Sequence, residues 1–345
     1  MIQAAFHFSN PMIEQRELAE GESATFLGPR GVITVVGPDR LTWLHSLLSQ
    51  NLKNLEPGQS AEALLLDPHG HIEHVIHFID DGQTAWLIVE AESREPLLNW
   101  LNKMVFRMQV VITDRSEDYA LVGHMVSPVD GVATSNGIPL AWQDPWPGVV
   151  SGGVRYALTW PAKWPWFECL VEVQELEATL AKYGQAGTMA FDALRVAAHR
   201  PRQLTEVDEK SLPHEYDWMS TAVHLSKGCY RGQETVAKVH NLGHPPRRLA
   251  FLHLDGSGHA LPESGDGVFI GDAESARGKI TIAVNHYEMG PIALAILSRS
   301  VPEDAALIVH SSTGPIAASQ EVIVPASAGK AANLPKRNLL MGGKH

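Results

Sequence analysis

Cysteine is scarce in this 345-residue chain, which has two, Cys169 and Cys229. They fall on different predicted elements, so they form no disulfide framework, and such usage suits a reducing compartment. Basic residues are also in short supply. Lys and Arg number 27 against 39 Asp and Glu, a formal net charge of −12, which leaves none of the broad cationic surface that nonspecific nucleic-acid binding needs. No apolar run approaches the roughly 18 residues of a membrane span, so no membrane partner is expected. The opening Met1 to Ser9 lacks a charged leader and a long apolar core, and Glu14, Glu17, Glu20 and Glu22 are wrong for a transit peptide. Cytoplasmic residence is expected by elimination. Missing too are a Walker phosphate loop, a Gly-x-Ser-x-Gly elbow and a paired Cys-x-x-Cys, so nucleotide-dependent and serine-hydrolase chemistry have no support.

What is present is an ordinary globular composition, 44% hydrophobic and 19% charged, with length for about two or three domains. Val32 to Val36 reads as a strand ended by Gly37-Pro38. Asp39 then reads as a helix N-cap, and Leu41, Leu44, Leu47 and Leu48 supply one-sided apolar spacing. Ala61 to Leu66 is a second strand, turned by Asp67-Pro68-His69-Gly70 into a third that alternates Ile72, His74, Ile76 and Phe78 against His71, Glu73, Val75 and His77. Asp80-Asp81-Gly82 leads to a strand at 84–89, a helix near 93–104 and a strand at 109–113. The order β-α-β-β-β-α-β predicts a ferredoxin-like unit. The middle third predicts strands at 120–124, 154–160 and 166–171 and helices at about 173–183 and 188–199, with Trp142, Trp146, Trp160, Trp164 and Trp166 read as packing. Cys169, among Phe167, Val171 and Val173, reads as a core residue. Pro245-Pro246 links to short strands at 247–254, 267–270, 278–284 and 291–297, which predict a small antiparallel barrel. From Ser311 onward one last strand and then a frayed tail are expected.

The chemistry-bearing stretch is Lys227-Gly228-Cys229-Tyr230-Arg231-Gly232-Gln233-Glu234. Two cations flank the thiol, two glycines free the backbone, and a helix is expected to start near Gln233; each favours thiolate over thiol. Lys227, Arg231, Lys238, Arg247 and Arg248 against Glu234 give residues 224–248 a local charge of about +4, which predicts an anionic ligand in an otherwise acidic protein. His69, His71, His74 and His77 invite a metal hypothesis, but sequence-close histidines alone fix neither ligand count nor geometry, and no metal is expected.

The octapeptide at 227–234 resembles the signature of the YgfZ family, folate-linked iron-sulfur cluster maintenance proteins of the glycine-cleavage T-protein superfamily. The likeness extends over most of 30–310, including Gly37-Pro38-Asp39-Arg40, Asp67-Pro68-His69-Gly70 and Arg247-Arg248-Leu249. It implies an α+β chain of two ferredoxin-like α/β units and a small C-terminal antiparallel β-barrel, three lobes around a central cavity, with boundaries at 1–117, 118–244, 245–325 and a flexible tail at 326–345. The implied function is a folate-binding accessory protein for iron-sulfur cluster assembly or repair in client enzymes. Cys229 is then the reactive group, Lys227, Arg231 and Lys238 meet a tetrahydrofolate-type ligand, and iron-sulfur client enzymes or assembly proteins are the partners. The alternative is a tetrahydrofolate-dependent aminomethyltransferase of the T-protein type. Two departures bear on both. Where T-proteins carry an Asp on the Gly-Gly-Ile strand, this chain has Gly70-His71-Ile72-Glu73-His74-Val75. Where they carry a pterin-gripping Glu, Arg195-Val196-Ala197-Ala198-His199 places Ala197. A methyl group leaves the pterin's donors unpaired, at roughly 1–3 kcal/mol for each one buried.

Overall fold

The structure is a computed structural model that describes residues 4–157, 163–271 and 273–331. A helix, α1 (Pro11–Glu20), and a short strand, β1 (Ser23–Phe26), precede the first unit. That unit runs β2 (Arg30–Val36), α2 (Arg40–Leu47), β3 (Ser60–Leu66), β4 (Ile72–Asp80), β5 (Thr84–Glu90), α3 (Ala91–Lys103) and β6 (Val111–Asp114). Its antiparallel sheet has the order β3-β4-β5-β2-β6. Ile33, Val35, Ile76, Phe78 and Leu87 pack under α2 and α3 around Trp43, Leu44, Leu97 and Leu101. Val32, Leu64, Val75, Trp86 and Ile88 belong to the central core of the molecule. This sheet is therefore apolar on both faces, which is why its strands read as near-continuous hydrophobic runs.

Two local expectations fail for identifiable reasons. The β3–β4 register shifts at Leu65/Leu66, so the expected face of Ile72, His74, Ile76 and Phe78 is broken, and Ile72 packs with Val75 and Ile79 instead. A bulge adds one residue and reverses which side chains point inward. Asp39 stands at the N-cap of α2 but makes no cap bond; its carboxylate accepts the amide of Gln109 at 2.8 Å and ties α2 to the segment before β6.

The second unit contains β7 (Tyr119–Met125), a small hairpin of β8 (Thr134–Ser135) and β9 (Ile138–Pro139), β10 (Ala141–Gln143), β11 (Trp166–Glu172), α4 (Leu176–Leu180), β12 (Gly184–Gln185), α5 (Thr188–Ala197), α6 (Gln203–Glu206) and α7 (Gln233–Leu242). Its sheet order is β10-β11-β7-β1-β12. The strand at Ser23–Phe26 thus pairs with β7 and β12, outside the expected 1–117 unit, because its partners lie beyond residue 118. Residues 154–157 are not in a strand, and the remainder of that expected strand, with Trp160, lies outside the described residues. Trp142, Trp146, Trp164 and Trp166 are buried in the core, and Trp142 Nε1 donates to the carbonyl of Ala61 at 2.8 Å across the two sheets. Cys169 is fully buried, and burial pushes its thiol up to about 12.

The third unit is a closed six-stranded barrel of β13 (Arg247–Leu254), β14 (Gly267–Ile270), β15 (Gly278–His286), β16 (Gly290–Ser298), β17 (Leu307–Ser311) and β18 (Gly314–Val322) in the order β13-β16-β15-β14-β17-β18. Residues 314–322 form the one last strand expected before the tail, and it closes the barrel by pairing with both β17 and β13. The rest of the expected tail, 332–345, lies outside the described residues. The α+β class with a C-terminal barrel is as the sequence implies.

The first two units meet through buried charge as well as apolar surface. His77 on β4 hydrogen-bonds Glu168 on β11 at 2.6 Å and stacks on Trp142 at 3.7 Å. Burial works against the imidazolium, yet Glu168 outweighs it and raises the His77 pKa; burial also works against the Glu168 carboxylate, and His77 holds its pKa down. The His77 contribution is complete below its unfolded pKa near 6.5 and is lost as pH rises through the higher folded value. The Glu168 contribution is present above about 4.5 and lost as pH falls through the lower folded value. Thermal stability is expected to fall as pH rises above the unfolded value near 6.5 and through the raised folded value, and Glu168→Gln should flatten that slope. Melting curves across this range test it; an unchanged slope in the variant removes the pair from the linkage.

Candidate functional site

Residues 224–232 cross from the second unit to the start of α7 and lie against the first. Lys227 is 8% exposed, and its ammonium donates to the carbonyls of His45 and Leu48 and, at 3.0 Å, of Gln50. These groups close the carboxyl end of α2, where a cation satisfies unpaired carbonyls and the negative pole of the helix. Burial pushes the Lys227 amine down to about 7. Tyr230 is buried, its ring 5.1 Å from the Lys227 ammonium. Arg231 makes a two-pronged pair with Glu73 at 2.6 and 3.2 Å and lies 5.6 Å from the Trp100 ring. That pair borders an open groove whose lining includes Asp67, His74, Trp100, Leu204 and Glu209.

Gly232 adopts φ +81°, and a Cβ there would come within 2.6 Å of the Asp67 carbonyl and 2.9 Å of Gly70 Cα. A Cβ on Gly70, at φ +84°, would come within 2.9 Å of the Thr235 side chain and 3.3 Å of the Gly232 carbonyl. The glycines of the two motifs at 67–70 and 227–234 are therefore each other's packing requirement, with backbone on backbone where no side chain fits. Gly228 has open space beside it, and Cys229 is exposed with a free thiol. Lys227, Tyr230, Arg231 and Gly232 anchor the loop, and Gly228-Cys229 is its tip.

This corrects two sequence expectations. The cations beside Cys229 are not aimed at its sulfur, since Lys227 holds α2 and Arg231 holds Glu73. The first amide of α7, at Gln233, is taken by the Tyr230 carbonyl at 3.2 Å. The +4 island is likewise not a surface. Arg247 is paired with Asp208 and Glu215, and Arg248 is fully buried in the barrel, donating to the Val301 carbonyl and Gln320. Lys238 and Glu234 are exposed on α7. The four histidines do not converge either. His71 pairs with Asp67, His77 with Glu168, and burial pushes His74 down to about 4. Among the described residues no group of three or more His, Cys, Asp or Glu is placed to hold a metal.

The central cavity that the resemblance implies lies between the two sheets, and sequence reasoning missed the residues that line it. Its volume is about 50 Å³, and charged residues line much of it. Arg200 donates to Asp144 at 2.8 Å and to Glu62 at 2.7 Å, while Glu90 receives both Arg30 and Arg202. Burial works against the Glu90 carboxylate, but the two arginines hold its pKa down at about 2. The available signal was a carboxylate inside each apolar strand, Glu62 in Ala-Glu-Ala-Leu-Leu-Leu and Glu168 in Trp-Phe-Glu-Cys-Leu-Val. Ala197, the departure from the T-protein pattern, is buried in the adjoining core.

No family model matches the chain. It is 26% identical over 256 residues to a mitochondrial protein of Mycosarcoma maydis named as an iron-sulfur cluster assembly factor IBA57 homolog, covering 68% of this chain and 58% of that one. It is 24% identical over 292 residues to the tRNA-modifying protein YgfZ of Edwardsiella ictaluri, covering 81% and 85%. The matched stretch spans little more than half of the first relatives' own length, 54% and 58%. The glycine cleavage system aminomethyltransferase T of Bartonella henselae has the same fold, with a TM-score of 0.69 at 15% identity over 91% of this chain and 89% of that one. Three lobes with a closing barrel, a 227–234 loop seated on the 67–70 turn and these relatives agree: the chain is similar to YgfZ and IBA57 proteins and shares the fold of the glycine-cleavage aminomethyltransferase.

Proposed function

We propose that this protein is an accessory factor for iron-sulfur cluster assembly or repair in client enzymes, acting through Cys229. The observation that carries the reading is how the loop is built. Lys227, Tyr230, Arg231 and Gly232 are fixed from four directions, and what they hold out is a glycine and a free thiol. An exposed thiol on an anchored loop can reach a partner's metal or sulfur without a large ordering cost. The relatives named for cluster assembly and as YgfZ support the same direction.

The aminomethyltransferase alternative needs a free carboxylate near the reacting amine. Glu73 is held by Arg231, and Asp67 is committed to His71 and to the amides of its own turn. A tetrahydrofolate-type ligand is what the superfamily implies, but the central cavity does not fit one in this state. Small-molecule sites run to roughly 300–1,000 Å³, against about 50 Å³ here. Of the two lysines and one arginine expected to meet it, Lys227 and Arg231 are engaged elsewhere. No step of the proposed function is therefore routed through a folate.

Cells lacking the protein should show lowered activity of iron-sulfur enzymes, with enzymes that carry no cluster unaffected. The purified protein should give no detectable aminomethyl transfer from a lipoyl-carrier substrate to tetrahydrofolate, since positioned acid-base groups typically contribute about 10²- to 10⁴-fold. Robust transfer turnover overturns the reading.

A further inference from the structure

We infer that the central cavity is a binding site for a small planar oxyanion of the formate, bicarbonate or nitrate class. A census of donors and acceptors carries the inference. Glu62 Oε1 accepts from Arg200 and Trp218, and Oε2 from Thr221. Asp144 Oδ2 accepts from Arg200 and Trp164, and Oδ1 from the Trp146 amide. Glu168 takes His77 and Trp166, one on each oxygen, and both Glu90 oxygens are taken by arginines. Every carboxylate oxygen around the cavity thus already accepts at least one hydrogen bond.

The donors are not. Arg200 is 5% exposed, and its Nη1 meets no acceptor among the described residues. Arg202 uses Nε and Nη2 on Glu90 and leaves Nη1 over, and Arg30 gives Glu90 one nitrogen only. A water filling such a site also donates two hydrogens, and only the second lone pairs of carboxylate oxygens that already accept a bond are there to take them. An oxyanion only accepts, and its planar edge matches a guanidinium. The size agrees: about 50 Å³ holds roughly three to five water-sized groups at ~10–15 Å³ each, enough for formate or nitrate and too little for a ring or for propionate, whose heavy atoms include a methylene and a methyl group bulkier than an oxygen. The site lies in the interior, apart from the exposed thiol, and is independent of the role proposed for Cys229.

The test is a thermal-shift titration of the full chain with sodium formate, bicarbonate or nitrate, and with sodium propionate as the oversized control, all at constant ionic strength. Formate is expected to raise the melting temperature saturably by ~2 °C or more, and propionate to leave it unchanged. Val75→Leu enlarges an apolar wall of the cavity and leaves every charge in place, so it should abolish the formate response. An equal rise with propionate, or an undiminished response in Val75→Leu, overturns the site, and no response to any of the three anions assigns the cavity to water. Should the variant not fold, near-ultraviolet circular dichroism of the unmodified protein replaces it. Trp164 and Trp166 line the cavity, and a spectrum indifferent to formate overturns the inference equally.

Discussion

Arg200→Met is expected to lower the stability of this protein by about 3–5 kcal/mol, the usual cost of removing one partner from a buried ion pair. Arg200 is the only cation that hydrogen-bonds Glu62 or Asp144 among the described residues, and all three are buried. Without it two carboxylates face each other across a cavity that water reaches poorly. Burial and Glu62 already raise the Asp144 pKa despite Arg200. Urea unfolding followed by tryptophan fluorescence reads the effect. Adding Glu62→Gln and Asp144→Asn to the variant should recover much of the loss, because the uncompensated charge goes with them. A loss below about 1 kcal/mol for Arg200→Met would place these groups in contact with solvent and remove the network from the stability of the interface.

The second large effect concerns the loop tip. In cells lacking the protein, Cys229→Ser is expected to leave iron-sulfur enzyme activity at the level of the empty vector, while Cys169→Ser restores it. Serine keeps the size and polarity of the side chain and removes the soft, ionisable sulfur, so the comparison isolates thiol chemistry from loop shape. Cys169 is the proper control, being fully buried, with its sulfur already receiving the Val129 amide at 3.4 Å. Equal amounts of folded protein, checked by blotting of the soluble fraction, are required of both variants. Full restoration by Cys229→Ser takes the thiol out of the mechanism and leaves the loop a structural one.

Much of the fold was legible because its strands are hydrophobic and punctuated by turn residues. Gly37-Pro38, Asp67 to Gly70 and Asp80 to Gly82 each fall between elements, and Gly243 ends α7. What was not legible shares one cause, partners far away in the sequence. The pairing of Ser23–Phe26 with residues near 123 and 184 leaves no local trace, and neither does the shift in β4, which is set by its neighbour β3. The site behaved in the same way. The 227–234 stretch was recognisable from its residue types, but the roles given to Lys227 and Arg231 assumed that charges adjacent in sequence act on one another. Their partners, the end of α2 and Glu73, lie about 180 and 158 residues away. A sequence-local cluster of charge says little about a field when each member can be claimed by a distant element.

The threading of β1 has a consequence for how the chain is made. Residues 11–26 leave the ribosome well before their partners are made: Gly123 opposite Thr25, Gly184 opposite Ser23, and the barrel hairpin whose Asn285 and Tyr287 bond Gln15. Residues 30–114 pair only among themselves within their sheet, so that unit can close while the opening helix and strand still wait. The first sheet is topologically an insertion between two strands of the second. The opening segment is consequently a late-setting clasp, joining the second sheet and the barrel only after the barrel hairpin has been synthesised, and until then its strand edges are open to misassembly with other nascent chains.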